Sequence, residues 1–332
     1  MLRVWSEHLD VADLCQKDVL DLLDQGRLHP LVAVKPEADL DALGRWLRLV
    51  RERGLEPGIW PLLTDAQGYW PSERNAQAYF DRVVALLEDL KALEAPPAWV
   101  AVDLEPPLEQ IHGLRREGAP PWQVLRTLRG NLDSQRFERS VQVCRQGLER
   151  VRCFGAKTLA VTLPMAAHDL RDGRPLWQDL FEAPWAPVSW DRAGIMAYGS
   201  MVAGYSRGLL SVEDARAIHY RLFRHLARHF GPRAHASLGV TGVGKLGDEP
   251  AYEDPAELAA DAAAARAAGI HDLAIFCLDG LVGRANAGQW IQAVANAAPR
   301  KPPMTRRALG MRFGAATARH IAVAALMGSG TT

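Results

Sequence analysis

The sequence predicts an α/β protein of the (β/α)8 TIM-barrel class, and three observations carry that prediction. Eight apolar strand-like segments alternate with helical patterns along the chain. Links from helix back to strand are short, whereas the segments after strands four, five and six are long, which puts the long connections on one face of a barrel. Gly54, Gly155, Gly231 and Gly269 each fall just past a helical pattern, where a left-handed stop residue is favoured. The rival is a doubly wound open sheet. Neither GxGxxG nor GxxxxGK[ST] follows the first strand, which weakens a nucleotide-binding reading, and the GxGK run at Gly242 lacks the rest of a phosphate loop.

The elements follow in order. The first strand is expected over residues 4–9, with Glu7 and His8 at its end, and the second over 31–35, ending at Lys35. A helical pattern at 39–53 precedes the third strand, 58–63, which carries Trp60. A second pattern, 75–93, leads to the fourth strand, 99–104, whose apolar run ends at Asp103 and meets Glu105 before Pro106 and Pro107 stop it. The pattern at 134–154 leads to strand five, 158–163, and strand six covers 192–197. The pattern at 212–230 leads to strand seven, 236–241, and that at 255–268 to strand eight, 272–278, with Asp279 just beyond. Segments 106–133, 166–190 and 198–211 read as long loops, and Trp177, Trp185 and Trp190 lie in them.

A chain of 332 residues can bury a large core. Residues 1–298 are assigned to the barrel, and 299–332 to a basic, apolar tail that opens on a proline-rich linker and contains Arg306, Arg307, Arg312 and Arg319. Lys+Arg and Asp+Glu balance at 39 each, so no overall field recruits nucleic acid or an anionic membrane. Cys15, Cys144, Cys153 and Cys277 form no CxxC pair and read as buried free thiols; no zinc, other metal or cofactor is expected. The first residues show no apolar signal segment and no stretch is long enough to span a bilayer, so a cytoplasmic protein without stable membrane insertion is expected.

The chemistry is concentrated at the end of strand four. Side chains alternate along a strand, so Asp103 and Glu105 project to one side with Cα atoms roughly 6–7 Å apart. Two carboxyls this close separate in pKa, and one stays protonated near neutral pH. Glu105, nearer the mouth, is the better proton donor, and Asp103, deeper, orients or stabilises it. An edge-of-sheet acid pair that caps a helix or meets an arginine is the structural alternative. The second cue is Met196-Ala-Tyr198 at the end of strand six, where Met196 and Tyr198 point the same way. A phenol there can donate to developing charge. Trp60 and Trp5 offer flat apolar surface to sugar rings. Glu7, Lys35 and Asp279 are polar groups where a barrel carries its functional rim.

Asp103-Leu-Glu105 and Met196-Ala-Tyr198 resemble the strand-four D-x-x-D-x-D-x-E and strand-six M-x-Y-D motifs of the chitinase-like glycoside hydrolases of family 18. The resemblance implies a TIM barrel that cleaves a glycosidic bond in an oligosaccharide or glycoconjugate. It implies Glu105 as the acid, and Asp103 and Tyr198 as the residues that hold the substrate's N-acetyl group. The chain departs from the pattern elsewhere. The two earlier motif acids fall on Pro97 or Ala98 and on Ala101, the Asp after the tyrosine is Gly199, and the strand-eight tryptophan is replaced around Phe276-Cys277-Leu278.

Two other function classes stay open. A metal-dependent lyase, isomerase or hydrolase barrel would draw ligands from Glu7, His8, Asp103, Glu105 and His168, although no HxH or HExxH spacing supports it. A catalytically silent carbohydrate-binding barrel would also look like this, with supporting acids lost.

Overall fold

A computed structural model describes residues 1–115, 121–171 and 173–310. Strands β1 (Leu2–Ser6), β2 (Leu28–Val34), β3 (Gly58–Pro61), β4 (Trp99–Leu104), β5 (Lys157–Thr162), β6 (Arg192–Tyr198), β7 (Ala234–Gly239) and β8 (Asp272–Phe276) close into one barrel in sequence order. Every neighbouring pair is parallel, and β8 returns to pair with β1 through Leu2 opposite Leu273 and Trp5 opposite Phe276. The chain is therefore a closed eight-stranded parallel barrel, as the alternation of elements predicts.

Side-chain parity divides the core in two. On β4, Val100, Val102 and Leu104 face outward and pack with Trp46, Tyr79 and Phe80 from the surrounding helices. Trp99 and Ala101 face inward and pack with Trp5, Leu31, Trp60, Leu159 and Ala274 inside the barrel. Each large apolar side chain so buried contributes about 1.5–3 kcal/mol.

The predicted helices lie close to their expected places, at Leu40–Glu52, Ala76–Ala92, Ser134–Arg152, Val212–Phe230 and Pro255–Ala267. Gly54 and Gly269 follow two of them at φ +71° and +96°, a region where L side chains are strained. The three expected loops are corrected: they contain helices Leu108–Arg115, Pro121–Asn131, Leu176–Leu180 and Gly199–Tyr205 and a 3-10 segment at Pro164–Arg171. Trp185 and Trp190 in them are buried anchors, Trp185 lying 4.9 Å from the Phe230 ring. β4 has its expected bounds, and the other strands shift by one to three residues at one end or both. The largest change is in β1, which stops at Ser6 because the Asp279 carboxylate takes the N–H groups of Glu7, His8 and Leu9 at 3.1, 2.6 and 2.9 Å.

The N-terminal end of the barrel holds a buried ionic layer. Arg3, fully buried, donates to both oxygens of Asp272 at 2.9 and 3.2 Å, and its guanidinium lies 3.9 Å from the Trp99 ring centre. Arg192 and His235 reach the same carboxylate at 3.1 and 2.7 Å. These donors hold Asp272 far below the usual carboxylate range despite its burial.

All four cysteines are free, but Cys15 and Cys153 are exposed, which corrects the expectation that all are buried. No helix among the described residues is long and apolar enough to cross a membrane. Beyond the last barrel helix, the Arg300 N–H donates to the Ala263 carbonyl, and Ala308 is buried. Residues 311–332, with Arg312 and Arg319, lie outside the described residues.

Candidate active site

At the C-terminal ends of the strands a cavity of about 270 Å³ opens. Its walls carry four carboxyls, those of Glu7, Asp103, Glu105 and Glu249. Between them stand aromatic rings, including Trp60, Trp70, Tyr198 and Phe276. Asp103, Glu105 and Tyr198 thus face one hollow, and Met196 joins them. The strand parity of β4 and β6 is the cause, because residues two apart repeat on the inner face.

Asp103 is 6% exposed, and its Oδ1 has no hydrogen-bond partner. Burial, then the neighbouring charges of Glu105 and Glu7, push its carboxyl well up from the usual range. Glu105, just past the strand, is half-buried, and its backbone N–H donates to the Pro71 carbonyl. Burial and the Glu7 charge push it up to about 8. The interaction between the two side chains raises Asp103 and lowers Glu105.

Glu7 is the best-partnered carboxyl in the hollow. The Tyr69 phenol donates to its Oε1 at 2.7 Å and the Lys245 backbone N–H to its Oε2 at 3.1 Å. Burial raises its pKa, and the Tyr69 bond pulls it back down. Tyr198 is half-buried beside Phe276, with ring centres 5.3 Å apart. Burial, followed by the charges of Asp103 and Glu105, keeps its hydroxyl protonated well above its ordinary range, so it is a neutral donor.

The other expected site residues fall elsewhere. Trp5 is one layer below the cavity, where its indole N–H donates to Ser237 at 3.0 Å and its ring meets Trp60 edge-on at 5.1 Å. It is barrel filling rather than a wall of the hollow. Lys35 is outside the lining residues. Asp279 shapes the turn after β1, as described above, and does not line the hollow either. His8 is exposed and His168 packs near Trp177 at 6.4 Å, so neither joins the carboxyls. Among the described residues, no three His, Cys, Asp or Glu side chains form a group that could hold a metal ion.

Several walls were not anticipated from the sequence. Trp70 arrives from the connection after β3, next to the Tyr69 that holds Glu7, and Lys245, Leu246 and Glu249 come from the one after β7. The departures from the family motif also have a structural basis. A Cβ on Gly199 would lie 2.3 Å from the Tyr252 hydroxyl and 3.2 Å from Asp261 Oδ2, so this position has no room for an acid. Phe276 stands at the end of β8, where the resemblance expects a tryptophan, and lines the cavity.

No protein-family model and no curated protein matches the chain. Solved structures are similar in fold. The spore cortex-lytic enzyme SleL of Bacillus megaterium QM B1551 is 11% identical with a TM-score of 0.52, covering 91% of this chain and 75% of that one. An apo β-glucosidase, 1317, is 15% identical with a TM-score of 0.51 over 87% of this chain and 89% of that one. The exo-β-1,4-mannosidase Op5Man5 from Opitutaceae bacterium strain TAV5 is 15% identical with a TM-score of 0.51. That match covers 89% of this chain and 59% of the mannosidase. At such identities the likeness is one of architecture: the chain is a (β/α)8 barrel like theirs, with a carboxyl-walled cavity at the C-terminal ends of its strands, the face where barrels of this class place active sites.

Proposed function

We propose that the protein hydrolyses a glycosidic bond, with Glu105 as proton donor. The observation that carries this reading is the meeting of Asp103, Glu105 and Tyr198 in one aromatic-walled cavity, with Glu105 protonated up to about pH 8. A glycosidase needs a protonated acid at the leaving oxygen. Glu105 gives its proton to that oxygen, and the C1–O electron pair departs with the alcohol. Water adds its oxygen to C1, and the proton it loses replaces the one Glu105 gave. The interaction with Asp103 lowers the Glu105 pKa, which makes Glu105 a stronger acid. The Tyr198 hydroxyl donates to charge developing near the anomeric centre. Trp60 and Phe276 supply apolar faces for the ring.

A panel of 4-nitrophenyl glycosides tests the reading. The parent is expected to release nitrophenol from at least one of them, and Glu105→Gln to lose about 100-fold or more in kcat. Unchanged turnover in the variant rejects the assignment of Glu105.

A sugar-binding barrel without hydrolysis is the second reading, favoured by the closed positions at Gly199 and Ala101, where the motif's further acids are missing. Oligosaccharide binding by both parent and Glu105→Gln, with no product from either, selects it.

A further inference from the structure

The hollow gathers four carboxyls and almost no positive charge. Lys245 is the one cationic residue in its described lining, and its ammonium is turned to Asp65, with contacts of 2.9 and 3.1 Å, above the Tyr69 ring. Glu249, 7% exposed, is the acid that the proposed proton transfer leaves unused. Its Oε1 accepts from the Leu246 N–H at 2.9 Å, while its Oε2 is buried with no hydrogen-bond partner. Glu7 is its neighbour: a methyl group at Gly244 would lie 2.9 Å from Glu7 Oε2 and 3.0 Å from Glu249 Oε1. A carboxyl oxygen buried without a donor is costly and calls for a donor from a ligand.

We propose that Glu249, with Glu7, holds the ammonium of an unacetylated amino sugar, so that the cavity selects hexosamine units with a free amine over their N-acetylated or hydroxyl counterparts. The proposal rests on the glycosidase reading of the same cavity and names its substrate class. An ammonium carries three donors and no acceptor, which matches an unpartnered carboxyl oxygen. It also offsets the negative charge of Glu7, the acid beside Glu249 at Gly244. An N-acetyl group offers a single N–H donor, brings a carbonyl oxygen that faces acids, and adds volume. A hydroxyl supplies one donor without charge.

The test compares 4-nitrophenyl glycosides of glucosamine, N-acetylglucosamine and glucose in both anomeric forms, with parent and Glu249→Gln. The parent is expected to favour the glucosaminide by at least 10-fold in kcat/KM. Glu249→Gln should bring the glucosaminide and glucoside within threefold of each other in kcat/KM. Calorimetry of the Glu105→Gln protein with glucosamine tetramer and N-acetylglucosamine tetramer gives a second readout that does not need turnover, and the glucosamine form should bind tighter. If the acetylated or neutral sugar is cleaved and bound equally well or better, the amine inference is overturned and the glycosidase reading stands. If no glycoside is cleaved and neither tetramer binds, both fall. If Glu249→Gln fails to fold, Glu249→Asp replaces it, and an undiminished glucosaminide preference there, together with equal tetramer binding, overturns the inference.

Discussion

The Tyr69 phenol donates to Glu7 Oε1 at 2.7 Å, and this contact ties the connection after β3 to the end of β1. It stabilises the charged form of Glu7 against a burial that opposes it. Tyr69→Phe therefore raises the Glu7 pKa further. Carbon-13 NMR of labelled glutamate carboxyls should show the Glu7 titration moving up. A downward move, or none, contradicts the role given to the phenol.

Glu105 ties pH to stability. Its folded pKa of about 8 exceeds the unfolded value of 4.5, so the native state binds the extra proton between those limits. The contribution of Glu105 is then full below pH 4.5 and is lost as pH rises towards 8. Glu105→Gln removes this dependence. Urea unfolding should find the variant stabilised relative to the parent by on the order of 2 kcal/mol more at pH 8.5 than at pH 4.5. A constant difference across that range would show that Glu105 titrates normally.

Asp272 has the opposite sign. Its folded pKa is held far down, so its contribution is present above the unfolded pKa of 3.8 and fades below it. Asp272→Ala strands the fully buried Arg3 without its partner, at a cost of about 3–5 kcal/mol at pH 7. The urea midpoint reads this directly. Double substitution of Arg3→Met with Asp272→Leu should recover much of the loss, because the fully buried guanidinium leaves with its partner and only the partly exposed Arg192 loses a carboxylate.

Gly199 tests why the chain leaves the family motif. Gly199→Asp restores the expected acid by sequence, yet its Cβ collides with the Tyr252 hydroxyl. Gly199→Ala should cost about 1–3 kcal/mol in thermal or urea unfolding, and Gly199→Asp more. A stable Gly199→Asp protein with raised activity would refute this account.

Much of this architecture is legible in the chain itself. Asp103 and Glu105 are two residues apart at a strand end, and Met196 and Tyr198 likewise, so a period of two suffices to place all four on the inner face. Depth is another matter. Trp5 has the right parity, but one layer separates it from the hollow, and only the stagger of the closed barrel sets that layer. Asp279 was expected on the rim; the backbone donors of residues 7–9 claim it instead. Tyr69, Trp70, Lys245 and Glu249 come from connections without periodicity. Their positions follow from tertiary contacts such as the Tyr69 hydroxyl and the Lys245 N–H to Glu7, which no local pattern announces.

The barrel interior is partitioned. Arg3, Arg192 and His235 converge on the Asp272 carboxylate at one end, and the carboxyls of the hollow stand at the other. Between them, Trp5, Leu31, Ala101, Leu159 and Ala274 form an apolar bulkhead. The charges felt by Asp103 are those of Glu105 and Glu7, its companions on the same side. Substrate preference can therefore drift through replacement of the upper acids while the lower clasp goes on holding the cylinder shut.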